Sequence, residues 1–84
     1  MSANLTPAQH EDLVFLRETM RWTYWPWCPV KRGDTVASCF DGEGGKRTVY
    51  LKNLLLGLDE GFKGVEKIEY ENSYKMLLDG WIVD

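Results

Sequence analysis

Thr35-Val-Ala-Ser-Cys-Phe40, Asp41-Gly-Glu-Gly-Gly45 and Lys46-Arg-Thr-Val-Tyr-Leu51 read as strand, turn and strand. β-Branched and aromatic residues fill both runs, and a glycine-rich loop between two such runs is a hairpin signal. Downstream, Leu51, Leu54, Leu55, Leu58 and Phe62 fall at i, i+3, i+4, i+7 and i+11, which predicts a short helix over Asn53–Glu60 closed by Gly61. Gly57 inside that helix lowers its stability by about 1 kcal/mol relative to alanine. Val65-Glu-Lys-Ile-Glu-Tyr70 is a further strand, with Ile68 and Tyr70 alternating against Lys67, Glu69 and Glu71. Asn72-Ser73 marks a turn. Tyr74-Lys-Met-Leu-Leu78 fits a strand or one helical turn started by Ser73. Asp79-Gly80 favours the strand, as a two-residue hairpin leading into Trp81-Ile-Val83.

Upstream, Thr6-Pro7-Ala8-Gln9 is a helix start: Thr6 caps, Pro7 fits the first helical position and Gln9 reaches back to complete a capping box. Glu11 and Asp12 follow, where the helix dipole favours negative charge. Leu13, Leu16, Met20 and Tyr24 share one stripe, with Phe15 and Trp22 on nearly the opposite side. Pro26 ends this helix, because the residue before a proline is driven out of the α region. Pro26–Gly33 then reads as a linker. The fold class expected is α+β: an N-terminal amphipathic helix packed on a mainly antiparallel sheet of four or five strands, with a short second helix, all in a single domain over residues 1–84.

The chain has 84 residues, near the size at which one hydrophobic core becomes marginal. Four Trp, four Tyr and three Phe compensate. Each buried aromatic removes about 150–250 Å² from water, so no metal or disulfide staple is required. The net charge of −3 is uneven. Residues 1–55 carry seven Lys/Arg against six Asp/Glu, and residues 56–84 carry three against seven. That acidic C-terminal third is unsuited to tracking a phosphate backbone. The first residues lack the basic and apolar regions of a signal peptide, and no apolar run approaches the ~20 residues of a membrane span. A cytoplasmic protein with reduced Cys28 and Cys39 is expected, without membrane association.

The motifs that suggest chemistry fail on spacing. Trp27-Cys28-Pro29 lacks the second cysteine that a thiol–disulfide site needs at position 31, which is Lys31. Cys28 therefore reads as a small apolar filler. Gly42-Glu-Gly-Gly-Lys-Arg-Thr48 places Arg47 where a phosphate loop requires Ser or Thr. His10, Cys28 and Cys39 lack the paired spacing of a zinc site, and His10 has no nucleophile identifiable beside it. Asp34, Asp41, Glu43, Asp59 and Glu60 sit at turns or element ends, and an acid–base pair among them would need a desolvating pocket that a chain this short rarely builds. Arg32-Gly33-Asp34 matches an integrin tripeptide by chance. Val30-Lys-Arg-Gly-Asp-Thr-Val36 resembles the entry to small SH3-like barrels, where Gly-Asp sets a turn before a strand, although such barrels do not usually carry the leucine-rich segment that follows. No catalytic residue, cofactor or metal is expected.

One feature remains. Met20-Arg-Trp-Thr-Tyr-Trp-Pro-Trp-Cys-Pro-Val30 holds three of the four tryptophans. Trp22, Tyr24, Trp25 and Trp27 either fill the core or stay exposed as binding anchors, since such side chains bury much area with few rotatable bonds. Phe15, Trp22, Tyr24, Trp25 and Trp27, with Arg17, Arg21, Lys31 and Arg32 as a polar rim, form the candidate partner surface. Asp59, Glu60, Glu66, Glu69 and Glu71 form a second, acidic face. The function expected is a small non-enzymatic intracellular interaction module that occludes a larger protein complex. Small, acidic, aromatic-rich chains of this style are common among the inhibitors and regulators of bacteriophages and mobile elements. The alternative is a single-stranded nucleic-acid binder that stacks bases on Trp22, Trp25 and Trp27 beside Arg21, Lys31 and Arg32. A homo-oligomer built through the aromatic patch is the third possibility.

Overall fold

The computed structural model describes residues 5–84, so part of the N-terminal stretch read above for a signal peptide lies outside the described residues. Helix α1 (Pro7–Arg17) leads to strands β1 (Trp27–Arg32), β2 (Thr35–Asp41) and β3 (Arg47–Tyr50). Helix α2 (Leu54–Glu60), strand β4 (Lys67–Tyr70), helix α3 (Ser73–Leu78) and strand β5 (Ile82–Val83) complete the chain. The five strands form one antiparallel sheet in the order β4-β3-β2-β1-β5. This is the α+β class expected.

Register sorts the side chains. Cys28 opposes Cys39 and Cys39 opposes Val49, which opposes Ile68. With the strand period of two, Cys28, Val30, Ala37, Cys39, Val49, Ile68 and Val83 share one face. Against them pack Leu13 and Leu16 of α1, Met76 and Leu77 of α3, and Trp81. The other face carries Trp27, Phe40 and Tyr50, and α2 crosses it.

The capping box at the start of α1 forms as expected: Gln9 N–H donates to Thr6 Oγ1, and Thr6 N–H donates to Gln9 Oε1, both at 3.1 Å. The helix stops at Arg17 rather than running to Pro26. Trp22 folds back and donates its indole N–H to the carbonyl of Phe15 at 3.1 Å, while Arg47 Nη2 donates to the carbonyl of Leu16 at 2.9 Å. Two carbonyls of the last turn thus have side-chain partners and need no further turn of helix. Only a 3₁₀ turn, Thr19–Arg21, follows. The stripe read through Leu13, Leu16, Met20 and Tyr24 is broken there: the two leucines are buried, whereas Met20 and Tyr24 face solvent.

The expected linker at 26–33 contains strand β1. Asp41 N–H donates to the Pro26 carbonyl, so in β1 the residues in step with Pro26 (Cys28, Val30, Arg32) point their backbone groups toward β2. Pro29 is out of step and faces the β5 side, where its carbonyl accepts from Asp84 N–H at 3.0 Å. Its missing donor falls one residue beyond the pairing with β5, a position where sheets accept proline. Gly33 has φ +60° and Asp34 does not have positive φ, so Gly33-Asp34 forms a type II′ turn between Arg32 and Thr35. This is the turn before a strand that the SH3-like resemblance implies, and the leucine-rich segment foreign to that resemblance is α2.

The expected strand at 74–78 is helix α3. Asn72 Oδ1 accepts from Lys75 N–H at 2.9 Å and caps it, and Gly80, with φ +99°, follows its end rather than closing a hairpin. Trp81–Val83 does continue to a strand, β5, but its partner is β1. Helix α2 occupies the expected residues between an Asn53 cap and Gly61. Its inward side is Leu54 and Gly57, while Leu55 and Leu58 of the sequence stripe face outward. A Cβ on Gly57 would lie 2.0 Å from the ring of Phe62, so the helix backbone itself rests on that ring.

Candidate interaction surface

The aromatic stretch divides between core and surface. Trp22 is buried beneath α1, with the guanidinium of Arg47 5.4 Å from its ring centroid. Arg47 is itself buried and paired with Asp41 at 2.8 Å, so Trp22 belongs to the seam between helix and sheet. Trp27 is half-buried on the α2 face. It stacks on Phe62 with centroids 4.0 Å apart and meets Phe40 and Tyr50 at 5.0 and 5.4 Å. Phe15 is half-buried under Arg21 at 5.2 Å. The two rings presented to solvent are Tyr24, 45% exposed, and Trp25, 59% exposed.

Trp25 is exposed yet held. Its indole N–H donates to Asp41 Oδ2 at 2.9 Å, and a cis peptide bond joins it to Pro26. Its backbone N–H meets the Trp22 carbonyl, and Trp27 N–H meets the Tyr24 carbonyl, closing a tight turn around the pair. Met20, 93% exposed, shares a shallow depression of about 410 Å³ with Thr19 and Trp25. Sequence reading put Met20 on one stripe with Leu13 and Leu16. Once α1 ends at Arg17, nothing carries it back to the core.

Of the four cations of the expected rim, three each hold a carboxylate of the same chain, while Arg17 ends α1 on an exposed position. Arg21 pairs with Glu18 at 3.1 Å and Lys31 with Asp84 at 3.8 Å. Arg32 binds both the carboxylate and the backbone carbonyl of Asp79, at 3.0 and 3.2 Å, and lies over Trp81 at 4.5 Å. It thus clasps the turn between α3 and β5. Tyr70 completes the clasp by donating to Asp79 and accepting from the Trp81 indole N–H at 3.0 Å. Burial, then the bond to Asp79, raises the Tyr70 hydroxyl above its ordinary pKa.

The residues of the expected acidic face lie on several elements. Asp59 and Glu60 end α2, with Glu60 bound to Lys52 at 3.1 Å. Glu69 and Glu71 line a groove of about 200 Å³ with Lys46, Thr48 and Tyr70, and Glu66 is exposed before β4.

A second apolar surface is formed largely by leucines that the sequence reading gave to a helix stripe and not to a site. Leu55, Leu56 and Leu58 are 68%, 52% and 48% exposed. Beside them Tyr24, Pro29, Val36 and Leu54 line a furrow of about 240 Å³. A signal for this was present: residues 54–58 are Leu-Leu-Leu-Gly-Leu, and a helix at 100° per residue cannot turn all four leucines to one sheet.

Cys28 and Cys39 are free thiols, buried and directly opposed. Burial pushes both up to about 12, with Asp12 adding to the rise at Cys28, so they stay protonated and unreactive at neutral pH. Among the described residues, no three His, Cys, Asp or Glu side chains converge as metal ligands, and no helix is long and apolar enough to cross a membrane. No protein-family model, curated protein or solved structure matches the chain.

Proposed function

We propose that this chain is a small non-enzymatic interaction module, of the inhibitor or regulator kind, that occludes a surface of a larger protein by seating Trp25 and Tyr24 in it. The observation that carries this reading is Trp25, 59% exposed but fixed by its bond to Asp41. An anchor already ordered in the free protein gives up little conformational freedom on binding, and tryptophan and tyrosine dominate interface hot spots. The non-enzymatic reading is supported by thiols held neutral in the core and by a single histidine, His10, exposed on α1. We read the compartment as the cytoplasm, where reducing conditions keep opposed thiols such as Cys28 and Cys39 free.

Nucleic-acid binding is the weaker reading. Trp22 is buried, and Arg21, Lys31 and Arg32 are engaged by Glu18, Asp84 and Asp79. Base stacking would lose one of its three rings, and phosphate contacts would have to displace three carboxylates.

Affinity capture from a lysate of the native host, with wild type and Trp25→Ala side by side, tests the proposal. Both proteins are first shown by circular dichroism to fold alike. A partner that binds wild type and is weakened at least about thirtyfold by Trp25→Ala supports it. Partners retained equally by both move the site away from Trp25. Tight, salt-sensitive binding of a single-stranded oligonucleotide would instead favour the alternative.

A further inference from the structure

The sheet has two edges, and they end differently. At one, β5 is two residues long, and the outward N–H of Val83 donates to Asp12 Oδ2 of α1 at 3.0 Å. At the other, β4 runs over four residues, Lys67–Tyr70. Leu51 N–H donates to the Glu66 carbonyl, so Glu66, Ile68 and Tyr70 turn their backbone groups toward β3. The backbone groups of Lys67 and Glu69 point away from the sheet. Among the described residues, no hydrogen bond reaches them, and neither side chain is in an ion pair, although Lys67 lies over the Tyr50 ring at 5.8 Å. We infer that two copies of this chain join through β4, paired antiparallel about a two-fold axis at Ile68, so that their sheets become continuous. This inference does not rest on the Trp25 site.

The backbone fixes the kind of occupant, and the charges fix which one. A row of outward amides and carbonyls is satisfied by another strand, and a two-fold axis normal to the sheet brings β4 antiparallel to itself. Outward residues must then meet as hydrogen-bonded pairs, which leaves three axes that join Lys67 and Glu69 to themselves or to each other. An axis at Lys67 sets lysine against lysine, and one at Glu69 sets glutamate against glutamate. An axis at Ile68 sets Lys67 against the partner's Glu69 and Glu69 against the partner's Lys67. Ile68, half-buried in one copy, then meets the partner's Ile68 between the two pairs. Glu66 falls opposite the partner's Tyr70 and Glu71 opposite the partner's Val65, so no carboxylate faces another. Opposite charges across neighbouring strands stabilise a pairing and like charges weaken it. Charges on an edge strand ordinarily deter pairing. In β4 they deter every self-pairing except the one in which they match.

Sedimentation velocity and amide hydrogen exchange of the full chain, over a micromolar-to-millimolar series, test this together. Wild type is expected to sediment as a concentration-dependent dimer, and the amides of Lys67 and Glu69 to gain at least about tenfold protection as it forms. Lys67→Glu and Glu69→Lys each set like charges across both pairs and should raise the dissociation constant at least about tenfold. The two together restore opposite charges and should recover the dimer. Glu69→Pro removes an outward donor without touching the bonds to β3, so it should abolish association while circular dichroism stays that of the folded chain. Trp25→Ala should leave association as it is. A wild type monomeric throughout, its β4 edge left to solvent or to a strand of another protein, overturns the inference. So does a dimer in which the Lys67 and Glu69 amides gain no protection, one lost in Trp25→Ala, or a double charge swap no better than its single variants.

Discussion

The two faces of the sheet are finished differently. On one face Leu16 of α1 and Met76 and Leu77 of α3 meet Val30, Cys39 and Val49, and Trp81 fills the space between them, every one fully buried. On the other, Trp27, Phe40, Tyr50 and Phe62 contact one another but stay half-buried under a helix of seven residues. The difference lies in what each cover brings to the sheet. Helices α1 and α3 bring large side chains down on it, whereas α2 brings Leu54 and the bare backbone of Gly57. A helix that approaches through glycine turns its large residues outward. The first face holds the fold together. The second, with the neighbouring Tyr24–Trp25 turn, carries the apolar surface that solvent sees.

Trp81→Ala should have the largest effect. It removes a fully buried ring, the hydrogen bond to Tyr70 and the surface on which Arg32 lies. The expected loss is about 3–5 kcal/mol in urea denaturation, a large part of the stability of so small a domain. Trp27→Ala on the opposite face should lose about 2 kcal/mol, because that ring is only partly removed from water. Equal losses would break the comparison.

Gly57→Ala comes next. Alanine gains about 1 kcal/mol of helix propensity, but its methyl group enters the Phe62 ring and should cost about 1–3 kcal/mol, a net destabilisation. Urea denaturation measures the loss, and a change in Trp27 fluorescence reports the displaced stack. Adding Phe62→Leu should recover part of it. A Gly57→Ala variant more stable than wild type would show that α2 stands further from the sheet.

How much of this could be read in the sequence depends on whether a segment's structure is set locally. The Thr6–Gln9 cap, the 35–51 hairpin and the Asn53–Gly61 helix limits follow from turn and cap chemistry a few residues long. The segments misread are those decided by distant partners. Helix α1 ends early because Trp22 and Arg47 satisfy its carbonyls, and β1 exists because β2 and β5 flank it. Segment 73–78 is the exception: its helix is started locally by the adjacent Asn72, whose cap competes with a turn of similar composition. The candidate surface was half legible. Tyr24 and Trp25 are exposed as the binding reading requires, while Trp22 is buried by a bond to a carbonyl seven residues upstream.

The sealed face should also set the alkaline limit of stability. Cys28 and Cys39 ionise near their ordinary value of 9.0 when unfolded, but hold their protons to about 12 in the fold. Between those values the folded state binds more protons than the unfolded one, so stability is steady below pH 9 and falls as pH rises above it. Tyr70, also raised, adds to the fall in the same direction. Thermal unfolding at a series of alkaline pH values should show a falling Tm, with a shallower fall in Cys28→Ala/Cys39→Ala. A slope unaltered by removing both thiols would mean that they are not sealed from water.

The smallest effect should come from the residue next to a large one. Leu54 and Leu55 are the same residue type at adjacent positions, 4% and 68% exposed. Leu54→Ala opens a cavity between α2 and the sheet and should destabilise by about 2–5 kcal/mol. Leu55→Ala, measured by urea denaturation, should change stability by no more than about 0.5 kcal/mol. The pair reads the rotation of α2 about its own axis, since a turn of one residue spacing would exchange the two values. If Leu55→Ala proves as damaging as Leu54→Ala, both side chains lie against the sheet, as a stripe through Leu51, Leu54, Leu55, Leu58 and Phe62 would have them. The second face would then be closed like the first.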